Sequence, residues 1–283
     1  PQAMAARDLD TTEQRLALLS PRVILGKIVL TTLGLAAGAS VGREGPTVQI
    51  GAGVMLQFGI WGGVQRERAL ILAGSAAGIA GAFNTPLAGI VFAIEEMSKA
   101  FEQRTNGLVL YAVIIAGLVS LGLVGNYNYF GASSGGVRDL ADWATVAACG
   151  GIGGIAGGLF SRLMLAGSRL TKRWCAPGGG RREVAAALAC GVIVAAIGVA
   201  TGGATFGTGY EQARAVIEGG ATSNAYWFGK FAATLATAVS GIPGGIFAPS
   251  LSVGAGLGSW IAALLQSDQA GLVAVLGMAA SFS

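Results

Sequence analysis

The sequence predicts an all-α, polytopic membrane protein. Three observations carry that expectation: sparse charge, a series of long apolar spans, and a gap-free internal repeat. Of the 283 residues, 11% are charged and 53% hydrophobic, whereas soluble domains carry roughly 25% charged residues. Mean hydropathy is +0.65. Low-charge stretches at 23–41, 69–94 and 185–200 approach or reach the roughly 17–25 residues that a helix needs to cross the hydrocarbon core.

In chain order, the opening segment 1–21 carries Arg7, Asp8, Asp10, Glu13 and Arg15 and suits a polar connection or an interfacial helix. Apolar spans follow near 22–40, 47–60, 69–83, 86–97, 107–124, 144–168, 184–200, 223–239, 247–265 and 270–281. Several are short for a full crossing. Gly and Pro interrupt them at 42–46, 84–86 and 241–249, where freed backbone groups must be packed in protein or line a wet cavity. The chain opens on Pro1 without a signal peptide and stops inside an apolar run, so it reads as cut at both ends.

One offset of 203 residues aligns two stretches without a gap. Gly26-Lys27 matches Gly229-Lys230, Thr31 matches Thr234, Gly38 matches Gly241, Gly42 matches Gly245 and Pro46 matches Pro249. Gly51-Ala52-Gly53 matches Gly254-Ala255-Gly256, and Gly74 matches Gly277. In a Gly-rich chain the Lys and Pro matches carry the most weight. The division expected is a first repeat over 1–143, incomplete at its N-terminus, and a second over 144–283, incomplete at its C-terminus. Broken helices at equivalent points of two halves are a pointer to a transporter's binding site.

Basic residues Arg162, Arg169, Lys172, Arg173, Arg181 and Arg182 cluster between two long spans, which places a 162–182 loop on the cytoplasmic side. There is no histidine, which excludes an imidazole relay, a His-ligated metal and a Ser–His–Asp triad. Cys149, Cys175 and Cys190 are widely spaced and read as packing thiols. A net charge of +4 without a basic stripe argues against nucleic acid as a partner. No nucleotide-binding loop or metal cluster is evident, so no resident cofactor is expected, and transport is expected rather than enzymatic catalysis.

Gly42-Arg43-Glu44-Gly45-Pro46 opens one apolar segment, and Gly244-Gly245-Ile246-Phe247-Ala248-Pro249 stands at the equivalent place in the second copy. A helix N-terminus inside a membrane attracts anions through unpaired N–H groups and roughly half a positive charge. Glu44 is a carboxylate at such a break, which is expensive and by default functional. It can compete with a free anion for the same amides and release them when protonated; the plainer reading is an N-terminal acid pairing Arg43. Glu95-Glu96 ends the span from Pro86. Adjacent helical positions point about 100° apart, so one faces the bundle as a proton station, or both pair with Lys99 or Arg104 at an interface. Lys27 and Lys230 are equivalent intramembrane lysines, adding positive potential or snorkelling. Trp61, Trp143, Trp174, Trp227 and Trp260 lie mostly near span ends, as interfacial anchors do.

These motifs, with Ala82-Phe83-Asn84-Thr85-Pro86-Leu87-Ala88-Gly89, resemble those of the CLC chloride channel and transporter family. The resemblance implies an inverted-repeat bundle of tilted and broken helices, embedded in the bilayer as a homodimer with one pore per subunit. It implies Glu44 as the gating and external proton glutamate and Glu96 as the internal one. It implies anion binding by Arg43, Glu44 and Gly45 at an outer site and by Ile246 and Phe247 at a central one. Proton-coupled chloride exchange in a cell (inner) membrane is the function implied, with chloride and protons as substrates. A passive channel, or a non-transporting membrane scaffold, are the alternatives. The family's serine-bearing loop would precede Pro1 and its anion-coordinating tyrosine would follow Ser283. The proline of the first motif and the Gly-Ile-Phe-Ala-Pro sequence resemble chloride and nitrate members more than fluoride exporters.

Overall fold

A computed structural model describes residues 2–98, 103–133, 135–220 and 222–282, with the side chains at 96–98, 103–106 and 141 outside that description. The described elements are helical: α1 Gln2–Asp8, α2 Thr12–Leu19, α3 Pro21–Ala36, α4 Glu44–Trp61, α5 Glu67–Phe83 and α6 Pro86–Phe92, which runs into a π-turn at Ala93–Ser98. Then come α7 Gln103–Val124, α8 Leu140–Cys175, α9 Gly180–Ala200, α10 Tyr210–Ile217, α11 Tyr226–Val239, α12 Phe247–Leu264 and α13 Ala270–Phe282. The chain divides into two compact units. One holds Pro1–Thr32 and Arg43–Asn128, the other Leu33–Gly42 and Tyr129–Ser283.

In the first unit α5 is central. Ile71, Ala73, Ala76 and Ala80 pack with Ala52 and Leu56 of α4, Val113 of α7, and Ala3, Ala6 and Leu19 from the opening helices. The opening segment is therefore part of this core. Arg15 is buried and ion-paired with Glu67, whose other oxygen accepts from the Thr12 hydroxyl at 2.6 Å. Small residues let α4 and α5 touch backbone to backbone: a Cβ on Gly74 would lie 2.2 Å from the Gly51 carbonyl oxygen.

In the second unit α12 is central, with 61% of its span buried, against 11–22% for the apolar windows of 12–36, α7, α8 and α9. Those low values belong to helices whose outer faces carry exposed Leu118, Leu159 and Leu188, as lipid-facing surfaces do. Phe160 of α8, Phe231 of α11 and Val253 of α12 form one cluster. Cys149 packs with Leu257, Ile261 and Val273 in another, matching its reading as a packing thiol.

The elements recur at the 203-residue offset. Helices α4 and α12 begin and end at equivalent residues, and their N-caps share one conformation, φ −95°, ψ −10° at Arg43 and φ −103°, ψ −7° at Ile246. Gly38 and Gly241 have φ of 85° and 84°. The Gly51–Gly74 contact has its counterpart in Gly254–Gly277, where a Cβ on Gly277 would lie 2.4 Å from the Gly254 carbonyl oxygen.

Two expectations need correction. The basic cluster is not a loop: Arg162, Arg169, Lys172 and Arg173 lie on α8, which continues to Cys175, and the connection to α9 is only the short turn 176–179. No proline interrupts the run before Pro177, so the helix outlasts its apolar span. Trp61, Trp143 and Trp174 are exposed near helix ends, but Trp227 and Trp260 pack against each other, ring centroids 6.1 Å apart, beside the core of the second unit.

Candidate functional site: two helix starts at chain breaks

In the first unit, α4 begins directly after the glycine break. Arg43 is its N-cap and makes no side-chain hydrogen bond to the first turn; its guanidinium instead donates to the Ala82 carbonyl at 3.3 Å and the Tyr127 hydroxyl at 3.4 Å. Glu44 and Gly45 are the first two helical residues, and Pro46 follows where a missing N–H costs no intrahelical bond. Glu44 is 1% exposed. The expected carboxyl at the break is thus fully enclosed, in the first turn of a helix whose dipole favours negative charge there. A cleft of about 360 Å³ between α4 and α5 is lined by Arg43, Thr47, Ile50, Ala77 and Gly81.

The break after α5 is held by Asn84, left-handed at φ 55°. Its amide nitrogen donates to the Gly125 and Tyr127 carbonyls at 3.1 and 3.3 Å, and Ser120 donates to its oxygen at 3.1 Å. Helix α6 then leads into the π-turn Ala93–Ser98, which carries Glu95 and Glu96. Such turns concentrate at functional positions. Glu95 is exposed; the side chain of Glu96 lies outside the described residues.

In the second unit, Ile246 is the N-cap of α12 and Phe247 its first residue; an aliphatic cap offers the first turn no side-chain hydrogen-bond acceptor. Phe247 stacks edge-on against Phe282, centroids 4.3 Å apart. Just before this helix Gly245 exchanges two main-chain hydrogen bonds with Gly42, at 2.6 and 2.7 Å. Lys230 is wholly buried, its ammonium donating to the carbonyls of Gly207 at 2.7 Å and Thr205 at 3.0 Å. Its equivalent, Lys27, is half-buried and donates to the Gln2 side-chain oxygen at 3.3 Å.

Sequence reasoning passed over the hydroxyls of this region. Ser40, Thr234 and Thr237 are buried and joined by hydrogen bonds. Their signal was available: hydroxyl residues three apart inside an apolar span, facing a break loop.

Broken apolar helices, recurring in two copies and starting at glycine-rich breaks, define a polytopic, all-helical membrane protein. The chain belongs to the voltage gated chloride channel family, whose sequence profile matches residues 1–283. It is 33% identical over 275 residues to the H(+)/Cl(-) exchange transporter ClcA of Cronobacter sakazakii, covering 87% of this chain but only 55% of that protein's length. Among solved structures it is similar to a CLC-type fluoride/proton antiporter, with a TM-score of 0.81 at 27% identity over 99% of this chain and 69% of the other. A slow cyanobacterial Cl-/H+ antiporter gives a TM-score of 0.70 at 23% identity, over 99% and 71% of the two chains. A eukaryotic CLC transporter gives 0.75 at 23%, over 100% and 50%. The last two establish the fold, an integral membrane bundle.

Proposed function

We propose that the protein belonging to this chain is a secondary active transporter that exchanges chloride, or a similar small anion, for protons. The observation that carries the reading is Glu44: an enclosed carboxyl in the first turn of a helix with no side-chain cap, at a break between apolar spans. Ionised, it occupies the favourable end of the helix dipole itself. Protonated, it loses that attraction and yields the position to a free anion, so each anion passage is tied to a proton.

In this reading the amides of Arg43, Glu44 and Gly45, and those of Ile246 and Phe247, are the anion donors at their respective helix starts. Glu96 is the proton station on the other side of the path. The name of the exchanger relative supports proton coupling, and the fluoride/proton neighbour makes anion choice something to measure. We further propose two repeats, 1–143 and 144–283, a homodimer, and residence in the cell (inner) membrane.

The test is transport by the full-length protein in liposomes. An imposed chloride gradient without a pH gradient is expected to drive protons uphill in the opposite direction. A reversal potential that follows chloride alone, with no proton contribution, would overturn coupled exchange in favour of a passive channel.

A further inference from the structure

The segment Leu33–Gly42 precedes the Glu44 break in sequence yet packs within the second unit. Three hydroxyl residues help attach it there. The Ser40 N–H donates to Thr237 Oγ1 at 3.2 Å, and the Ser40 and Thr234 hydroxyls lie 2.9 Å apart. Thr237 donates its own proton to the Ala233 carbonyl at 2.8 Å, so its oxygen is oriented as an acceptor for Ser40. Ser40, Thr234 and Thr237 are 1%, 0% and 2% exposed, so water does not substitute for these bonds.

Two residues further on, Gly42 makes its reciprocal pair with Gly245. Glycine backbone is conformationally loose, and two isolated hydrogen bonds add only about 1 kcal/mol each. The pair therefore needs lateral support. Ser40 supplies it on one side. On the other, Ile242 lies on Gly34, where a Cβ would stand 3.1 Å from its Cγ2, and Val41 covers Gly244. At the 203-residue offset Ser40 corresponds to Pro243 and Thr237 to Gly34, so the N–H and the hydroxyl that form the Ser40–Thr237 bond have no counterpart in those residue types.

We propose that Ser40, Thr234 and Thr237 are positioning residues that lock the Gly42–Gly245 pair and thereby fix the Ile246 and Phe247 amides for anion binding. The anion part rests on the function proposed above. The residues act through main chain at the start of α12.

The experiment compares the full-length protein with Thr237→Val, Ser40→Ala and the conservative Thr237→Ser. Hydrogen exchange is read at peptides spanning 39–45 and 242–247, and sodium chloride binding by calorimetry. Thr237→Val and Ser40→Ala are expected to speed exchange at both peptides about tenfold and to weaken chloride binding about tenfold, while Thr237→Ser restores both. Because the readout is local, unchanged exchange in α12 and α13 separates this effect from general unfolding. Unchanged protection in both disruptive variants overturns the lock. Lost protection with unaltered chloride affinity overturns its link to the anion. Should the unsubstituted protein bind no chloride, the functional reading fails, and exchange alone then decides the lock.

Discussion

Gly42 and Gly245 occupy equivalent places in the two copies and pair with each other, each N–H donating to the other's carbonyl, in an antiparallel bridge. Such a reciprocal pair is unchanged when its members are exchanged. The backbone therefore runs in opposite directions at these two residues. One residue past each partner comes an N-cap, Arg43 or Ile246, with nearly the same dihedral angles.

Glu44→Gln removes the titratable group and keeps the shape. Proton movement driven by a chloride gradient is expected to fall about a hundredfold, the scale of losing a positioned acid–base group, while chloride flux persists. Proton and chloride fluxes measured on the same liposomes check this. Undiminished proton movement would remove Glu44 from the path.

The Arg15–Glu67 pair gives a pH dependence of stability. Burial pulls the Glu67 carboxyl up, but hydrogen bonds from Thr12 and Arg15 and the Arg15 charge outweigh it and hold it below its ordinary value of 4.5. A lowered folded-state pKa means that the contribution is fully present above pH 4.5 and fades as pH falls through the folded-state value. The gap in thermal midpoint between the protein and Glu67→Gln should be widest near neutrality and narrow below that pH. A gap that widens on acidification would contradict the assignment.

Backbone contact between α4 and α5 makes Gly74→Ala destabilising by about 1–3 kcal/mol through overpacking, because the added carbon meets the Gly51 carbonyl oxygen, which cannot swing aside. Gly154→Ala on α8 has open space around the new methyl and should gain about 0.5–1 kcal/mol. Thermal midpoints of the two variants should move in opposite directions.

Lys230→Ala and Lys27→Ala compare one residue type at equivalent places. The first strips the Thr205 and Gly207 carbonyls of their donor and should raise hydrogen exchange across the loop 201–209 about tenfold, an effect of the size of one lost buried hydrogen bond. The second loses one long contact to Gln2 and should leave its surroundings unchanged. Equal responses would mean that the carbonyl contacts do not anchor the loop.

Much of the helical plan was legible. The span read near 47–60 is α4, Glu44–Trp61, and the breaks at 42–46 and 84–86 lie where helices begin and end. Periodicity was less informative for α1, α2 and α10, which are short and partly polar. The length of α8 was underestimated because apolarity stops before the helix does; backbone hydrogen bonding continues through its charged last turns. At the candidate site, the sequence located Glu44 at a break, and the structure added its enclosure. The Ser40–Thr234–Thr237 support went unread because the two threonines, though only three residues apart, meet Ser40 from 194 and 197 residues away.

By itself the sequence determined a membrane-embedded helical chain, the points at which its helices break, and the duplication that relates them. These follow from composition, Gly and Pro, and spacing along the chain, all of which act locally. Only the tertiary structure decided that Leu33–Gly42 packs within the second unit, and that of two equivalent lysines Lys230 is sealed among carbonyls while Lys27 is not. The physical reason is that burial depends on what arrives from distant parts of the chain. Two matching patterns can therefore meet different neighbours and take different roles.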